Sequence, residues 1–138
     1  MSTDKMSIEI EQELERGTQL RGFRYGSHDF YAHLGGVERV KKSNDFVEAT
    51  FLKERLLDRK TKELAIIGVC VALKGPVSHL QLHMHAARKA GATPEEVLEL
   101  VELVGPWVGA LATIVGLEAW RTTFRPDIPP IDRVVELR

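Results

Sequence analysis

The clearest periodicity in the chain lies between Pro76 and Gly91, where His79, His83, Ala86 and Ala90 recur at spacings of four, three and four. Leu80, Met84 and Ala87 form the neighbouring apolar stripe, so the segment predicts a helix that turns His79 and His83 toward the core. His85, six residues past His79, falls with Gln81, Arg88 and Lys89 on the polar side. Pro76 near the first turn and Gly91 just past the last supply the usual end signals. Upstream, Asp58 with Thr61 three residues on opens another helix, and Glu63 is its last charge before the ten uncharged residues Leu64 to Leu73. A buried strand could carry such a run, but Ala65, Gly68, Ala72 and Leu73 are not strand formers and strands of that length are uncommon. The segment predicts a central buried helix. Gly75-Pro76 then reverses the chain, making an antiparallel hairpin in which Glu63 can approach His83.

The remaining punctuation also reads as helical. Thr93-Pro94-Glu95-Glu96 has a Thr cap, Pro at the first position and Glu three residues after the cap. Val97, Leu98, Val101 and Val104 predict its buried face, and Glu95, Glu99 and Glu102 a solvated one. Gly105-Pro106 breaks the pattern, and Trp107 opens a last helix through Leu111, Ile114 and Trp120. Before the hairpin, the pattern predicts a helix from Ser7 to Arg16 stopped by Gly17, and a short one capped by Ser27 that holds His28, Phe30 and Tyr31. A further helix spans Val37 to Lys42, and Asn44 caps another from Asp45 to Leu57. The tail from Phe124 to Arg138, with Pro126, Pro129 and Pro130, predicts extended chain whose Ile128, Ile131, Val134 and Val135 dock on another surface. The expected architecture is all-α: one domain over residues 1–138, with an N-terminal arm over 1–44 and an extended tail over 124–138.

Composition narrows the partners. Lysine and arginine number 19 against 20 acids, for a net charge of −1, which argues against nucleic acid or an anionic membrane as the partner. The apolar runs are too short for a typical bilayer span, and the N-terminus has no long apolar centre of a secretory signal, so a cytoplasmic protein is expected. The single cysteine, Cys70, sits in an apolar run and reads as a small buried hydrophobe.

The segments Leu57-Asp-Arg-Lys-Thr-Lys-Glu63 through Ala87-Arg-Lys-Ala-Gly-Ala-Thr-Pro-Glu-Glu96, continued by Gly105-Pro106, resemble the carboxymuconolactone decarboxylase family, which includes the AhpD-type alkylhydroperoxidases. The resemblance covers roughly residues 45 to 120. It implies an AhpD-like helical domain assembling as a homotrimer or homohexamer. In the peroxidase branch, Glu precedes Cys-x-x-Cys-x-x-x-His. Aligned on Ala-Arg-Lys-Ala-Gly, His83 takes the place of that histidine, His79 that of the second cysteine and Pro76 that of the first, with Glu63 near the glutamate. Dithiol peroxidase chemistry is therefore not expected. Leu82-His83-Met84-His85-Ala86-Ala87 is similar to the Leu-His-x-x-Ala-Ala pattern of the decarboxylase branch, which implies a cofactor-independent lyase of aromatic-compound degradation.

The residue types suit that chemistry. Removing CO2 from a carboxylated unsaturated lactone requires a bound anion, exclusion of water and one proton donor. His83, or His79 on the same face, can donate near neutral pH, with Glu63 orienting the imidazole. Tyr31, Trp107, His85 and Arg88 are candidates for holding substrate, Arg88 by pairing with the substrate's carboxylate. Two alternatives remain open at this point. His79, His83 and Glu63 could hold a divalent metal for a metal-dependent lyase or hydrolase. The histidines could instead satisfy buried carbonyls in a non-catalytic, oligomeric ligand-binding protein.

Overall fold

The computed structural model describes residues 3–53 and 55–138, and these gather into two compact units, Met1–Leu56 and Leu57–Arg138. Among the described residues there are seven α-helices, one π turn and no strand, as the apolar periodicity predicts.

The first unit holds α1 (Thr3–Arg21), α2 (Gly26–His33) and α3 (Val37–Val47), which runs directly into a π turn at Glu48–Leu52. Two expectations fail here for one reason. Gly17 does not stop α1, and Asn44 does not cap a helix, because both belong to a polar core. A Cβ on Gly17 would lie 2.8 Å from Asn44 Oδ1 and from His28 Nδ1, so glycine is the residue that lets these groups approach. Asn44 is fully buried. Its Nδ2 donates to the Glu13 carbonyl at 2.8 Å and to Glu13 Oε2 at 2.9 Å, and its Oδ1 accepts from Arg21 Nη1 at 2.8 Å. A side chain with this many partners is worth more inside the unit than at a helix start. The short helix likewise starts two residues early, with Tyr25 rather than Ser27 in the cap position and no side-chain cap bond. The helix expected from Asp45 to Leu57 crosses residue 54, outside the described residues, and before it the chain has already left helical geometry at Lys53.

The second unit holds α4 (Arg59–Ala72), α5 (Val77–Lys89), α6 (Pro94–Val108) and α7 (Ala110–Phe124). Its dry core is built from Ile67 and Val71 of α4, Leu80, Met84 and Ala87 of α5, Val97 and Val101 of α6, and Ala112 and Ala119 of α7. Local signals start the helices. Asp58 accepts from the Thr61 N–H at 2.7 Å, and Thr93 and Glu96 complete a capping box, with bonds of 3.0 and 2.8 Å.

Both hairpin helices end in Schellman turns, which return two backbone N–H groups to the last carbonyls. At the end of α5, Gly91 (φ 100°) occupies the left-handed position, with Gly91 N donating to Arg88 O and Ala92 N to Ala87 O. At the end of α4 the left-handed residue is Lys74 (φ 52°), with Lys74 N on Val71 O and Gly75 N on Cys70 O. Thus the reversal expected at Gly75-Pro76 begins one residue earlier, at a lysine.

Two further corrections concern this unit. The helix α6 does not break at Gly105-Pro106 but runs through it, so Trp107 closes α6 rather than opening α7. Pro106 removes one hydrogen bond close to the end of α6, where little helix remains to be disrupted. The break comes at Gly109, whose φ of 93° and ψ of 167° lie in a region essentially restricted to glycine. Nor is α4 buried all round. Only the stripe Glu63, Ile67 and Val71 is buried, whereas Val69 and Leu73 keep 52% and 75% of their surface exposed. An uncharged run therefore marked a helix apolar on both sides, of which this unit covers one.

The start of the tail is tied to α7: Arg121 donates to the Ile128 carbonyl, and Glu118 accepts from the Ile131 N–H at 3.3 Å. These ties are to the backbone: the apolar side chains expected to dock, Ile128, Ile131, Val134 and Val135, are all exposed, as is Leu137.

Candidate functional site

Helix α4 supplies an acid and a thiol, and α5 two imidazoles, all within the second unit. Glu63 and Cys70 stand seven residues apart, two turns of α4, while His79 and His83 are one turn apart on α5. The antiparallel reversal at Lys74-Gly75 pairs the late part of α4 with the early part of α5. Cys70 is thereby brought to the level of the histidines, and the longer Glu63 side chain reaches His83 from the other end.

Glu63 Oε2 lies 2.9 Å from His83 Nδ1, the approach that the hairpin geometry allows. Glu63 is 3% exposed, and the Arg59 guanidinium one turn earlier lies 3.6 Å from its other oxygen. A carboxylate so deeply buried is stabilised by the hydrogen bond on one oxygen and by the guanidinium charge near the other. A carboxylate at this distance takes Nδ1–H as its donor, which fixes the orientation of the His83 ring. The His83 side chain is 20% exposed, so it borders the core while remaining reachable.

The His79 ring meets that of His83 edge to face, with centroids 5.0 Å apart. Burial lowers the basicity of His79 from its ordinary value, and the adjacent His83 adds to the effect. Cys70 completes the cluster: one ligand atom from each of Cys70, His79 and His83 lies within 4.8 Å of the other two. Burial pushes the Cys70 thiol up, which keeps it protonated at neutral pH. Glu63 is not in this trio. The candidate ligand atoms that the fold brings together are thus those of Cys70, His79 and His83, with the Glu63 carboxylate on His83 Nδ1.

The other expected site residues lie elsewhere. His85 and Arg88 are exposed, as the polar face of α5 predicts, and Arg88 Nη1 donates to the Ala92 carbonyl at 3.3 Å just beyond the helix end. Trp107 is 85% exposed on α6. Tyr31 belongs to the first unit, where its hydroxyl accepts from Arg39 Nη1 at 3.3 Å and its ring lies under the Arg39 guanidinium, 5.1 Å from the centroid. Two open surface hollows in that unit, one beside Asp45, Glu48 and Lys53 and one beside Glu11, Arg24 and His33, contain none of the expected site residues. Cys70 is the one residue of the cluster that sequence reasoning left out. Its seven-residue spacing from Glu63, two helical turns, was the available signal.

The carboxymuconolactone decarboxylase family model matches residues 40–122, well over half of the 138-residue chain. The chain belongs to this family. No curated protein and no solved structure matches it. Membership in the carboxymuconolactone decarboxylase family agrees with the all-helical architecture and suggests decarboxylase or peroxidase-like chemistry. With one cysteine in the whole sequence, a single chain cannot form the dithiol of the peroxidase motif. No helix among the described residues is long and apolar enough to cross a membrane.

Proposed function

We propose that the protein is a cofactor-independent lyase that decarboxylates a small carboxylated, unsaturated lactone or a close relative, with His83 as proton donor and Glu63 as the residue that orients it. The observation carrying this reading is the 2.9 Å contact between His83 Nδ1 and the buried Glu63 carboxylate, an acid–imidazole pair of the kind that general acids use. In the proposed reaction the bond to the carboxyl carbon breaks, CO2 departs and the electron pair passes into the conjugated lactone carbonyl. The proton on His83 Nε2 then adds to the ring carbon, and water reprotonates the imidazole. Glu63 stabilises the protonated ring before transfer. His79, kept neutral by its surroundings, lines the approach and can accept a hydrogen bond from substrate.

The proposed protein is also a homo-oligomer, a trimer or hexamer. Supporting this are large apolar side chains left open on α4, α6 and α7, among them Leu73, Leu103, Trp107 and Leu111, at 75, 64, 85 and 71% exposure. Analytical ultracentrifugation should return three or six chain masses, and a monomer at micromolar concentration would contradict it.

The enzymatic reading is tested by CO2 release from the carboxylated lactone. Wild type should turn it over, and His83→Gln, which keeps an amide N–H for Glu63, should lose roughly 10²- to 10⁴-fold in kcat. An undiminished rate in that variant rejects the proton-donor role. No turnover by wild type on any carboxylated lactone favours the ligand-binding alternative.

A further inference from the structure

We propose that Cys70, His79 and His83 form a three-ligand site for a zinc-class transition-metal ion, with Glu63 as its outer-shell carboxylate and the fourth position open to solvent or an anion. Geometry supports the site first. The three ligand atoms lie within 4.8 Å of one another, whereas tetrahedral zinc with bonds of about 2.0–2.1 Å to nitrogen and 2.3 Å to sulfur holds its ligands roughly 3.3–3.6 Å apart. The separations therefore exceed tetrahedral spacing by at most about 1–1.5 Å.

His79 and His83 sit one turn apart on α5, and Cys70 is on the last turns of α4, its own carbonyl clamped by Gly75 N at 2.9 Å. The outer shell is already in place. The Glu63 carboxylate on His83 Nδ1 assigns Nε2 to the metal, the carboxylate–histidine–metal arrangement that fixes ring orientation and raises ligand basicity. The donor set of one sulfur and two imidazoles selects zinc, cobalt or copper over magnesium or calcium. Binding releases the thiol proton to solvent and leaves the oxidation state of the ion unchanged.

This inference concerns an ion that the lyase reading does not use, and it can be tested without any substrate. An ion on His83 Nε2 would occupy the nitrogen assigned to proton delivery, so zinc is expected to act on the proposed reaction as an inhibitor, not a cofactor.

The test uses the full chain, reduced and purified without a histidine tag, titrated with Co²⁺ and followed by absorbance, with Zn²⁺ stoichiometry from equilibrium dialysis. One ion per chain is expected, with a thiolate-to-cobalt charge-transfer band in the near ultraviolet. Cys70→Ser should abolish the band, His79→Gln should weaken binding at least tenfold, and Glu63→Gln should weaken it about 10- to 100-fold. His85→Gln, on the exposed face of α5, should leave cobalt and zinc binding unchanged. If Cys70→Ser fails to fold, the wild type alone serves: stoichiometric Zn²⁺ should slow alkylation of Cys70. Absence of the band, its persistence in folded Cys70→Ser, a loss in His85→Gln equal to that in His79→Gln, or alkylation indifferent to zinc each overturns the proposal.

Discussion

Truncating His83 separates its role as a partner of Glu63 from its role in chemistry. Glu63 is 3% exposed, with one oxygen 2.9 Å from His83 Nδ1 and the other 3.6 Å from Arg59. In His83→Ala the first oxygen loses its donor in a site closed to most solvent, and an orphaned buried acceptor costs about 1–3 kcal/mol. In His83→Gln the amide N–H can replace the lost donor, so most of that cost disappears. The alanine variant should therefore be about 1–3 kcal/mol less stable than the glutamine variant, although both lack the imidazole. With urea slopes of about 1–3 kcal/mol per molar for small proteins, the unfolding midpoints should differ by roughly 1 M. Far-ultraviolet circular dichroism at one fixed chain concentration reads this directly, because assembly would otherwise shift the midpoints. A double-mutant cycle pairing His83→Ala with Glu63→Gln should show coupling of at least about 1 kcal/mol, as expected for residues in direct contact. Equal midpoints for the two His83 variants, together with strictly additive energies in the cycle, would refute the acid–imidazole contact.

Further predictions follow from the two units. In the first, His28 is 3% exposed and its pKa is lowered to about 4, chiefly by burial and then by the Arg21 guanidinium. The unfolded chain therefore binds the proton more readily between about pH 6.5 and 4, and this unit should lose up to about 3 kcal/mol as pH falls through that window. Amide hydrogen exchange in α1 to α3 should accelerate there in wild type and less so in His28→Gln; a pH-independent profile in wild type would contradict the assignment. In the second unit, Lys74 holds a left-handed conformation (φ 52°) at the α4 Schellman turn, where glycine avoids a Cβ clash. Lys74→Gly should raise stability by about 0.5–1 kcal/mol in urea unfolding, and a loss of stability would show that the turn carries no such strain.

The parts of the fold written in local chemistry were legible in the sequence. The Thr93 capping box, the Gly91 stop of α5 and the chain reversal before Pro76 each depend on residues a few positions apart. The Glu63–His83 contact could be anticipated because a tight hairpin leaves few ways to pair two helices. What escaped the sequence depends on distant partners. Gly17 resembles a helix stop, yet it is a gap for His28 and Asn44 and needs α2 and α3 in place to be understood. Pro106 resembles a break but falls where α6 has almost ended. The uncharged run of α4 resembled a buried core, yet its outer face, with Val69 and Leu73, is left open by this chain alone. The nearness of Cys70 to two histidines was not legible because only folding brings them together.

The direct test of proton delivery is decarboxylation of the carboxylated lactone in D2O under single-turnover conditions, with the new C–D bond located by NMR. Delivery from His83 predicts deuterium on a single face of the product ring in wild type. In His83→Gln it predicts a rate lowered by two to four orders of magnitude and loss of that facial preference. A folded His83→Gln variant that forms the same stereoisomer at the wild-type rate would contradict the assignment of His83 and Glu63.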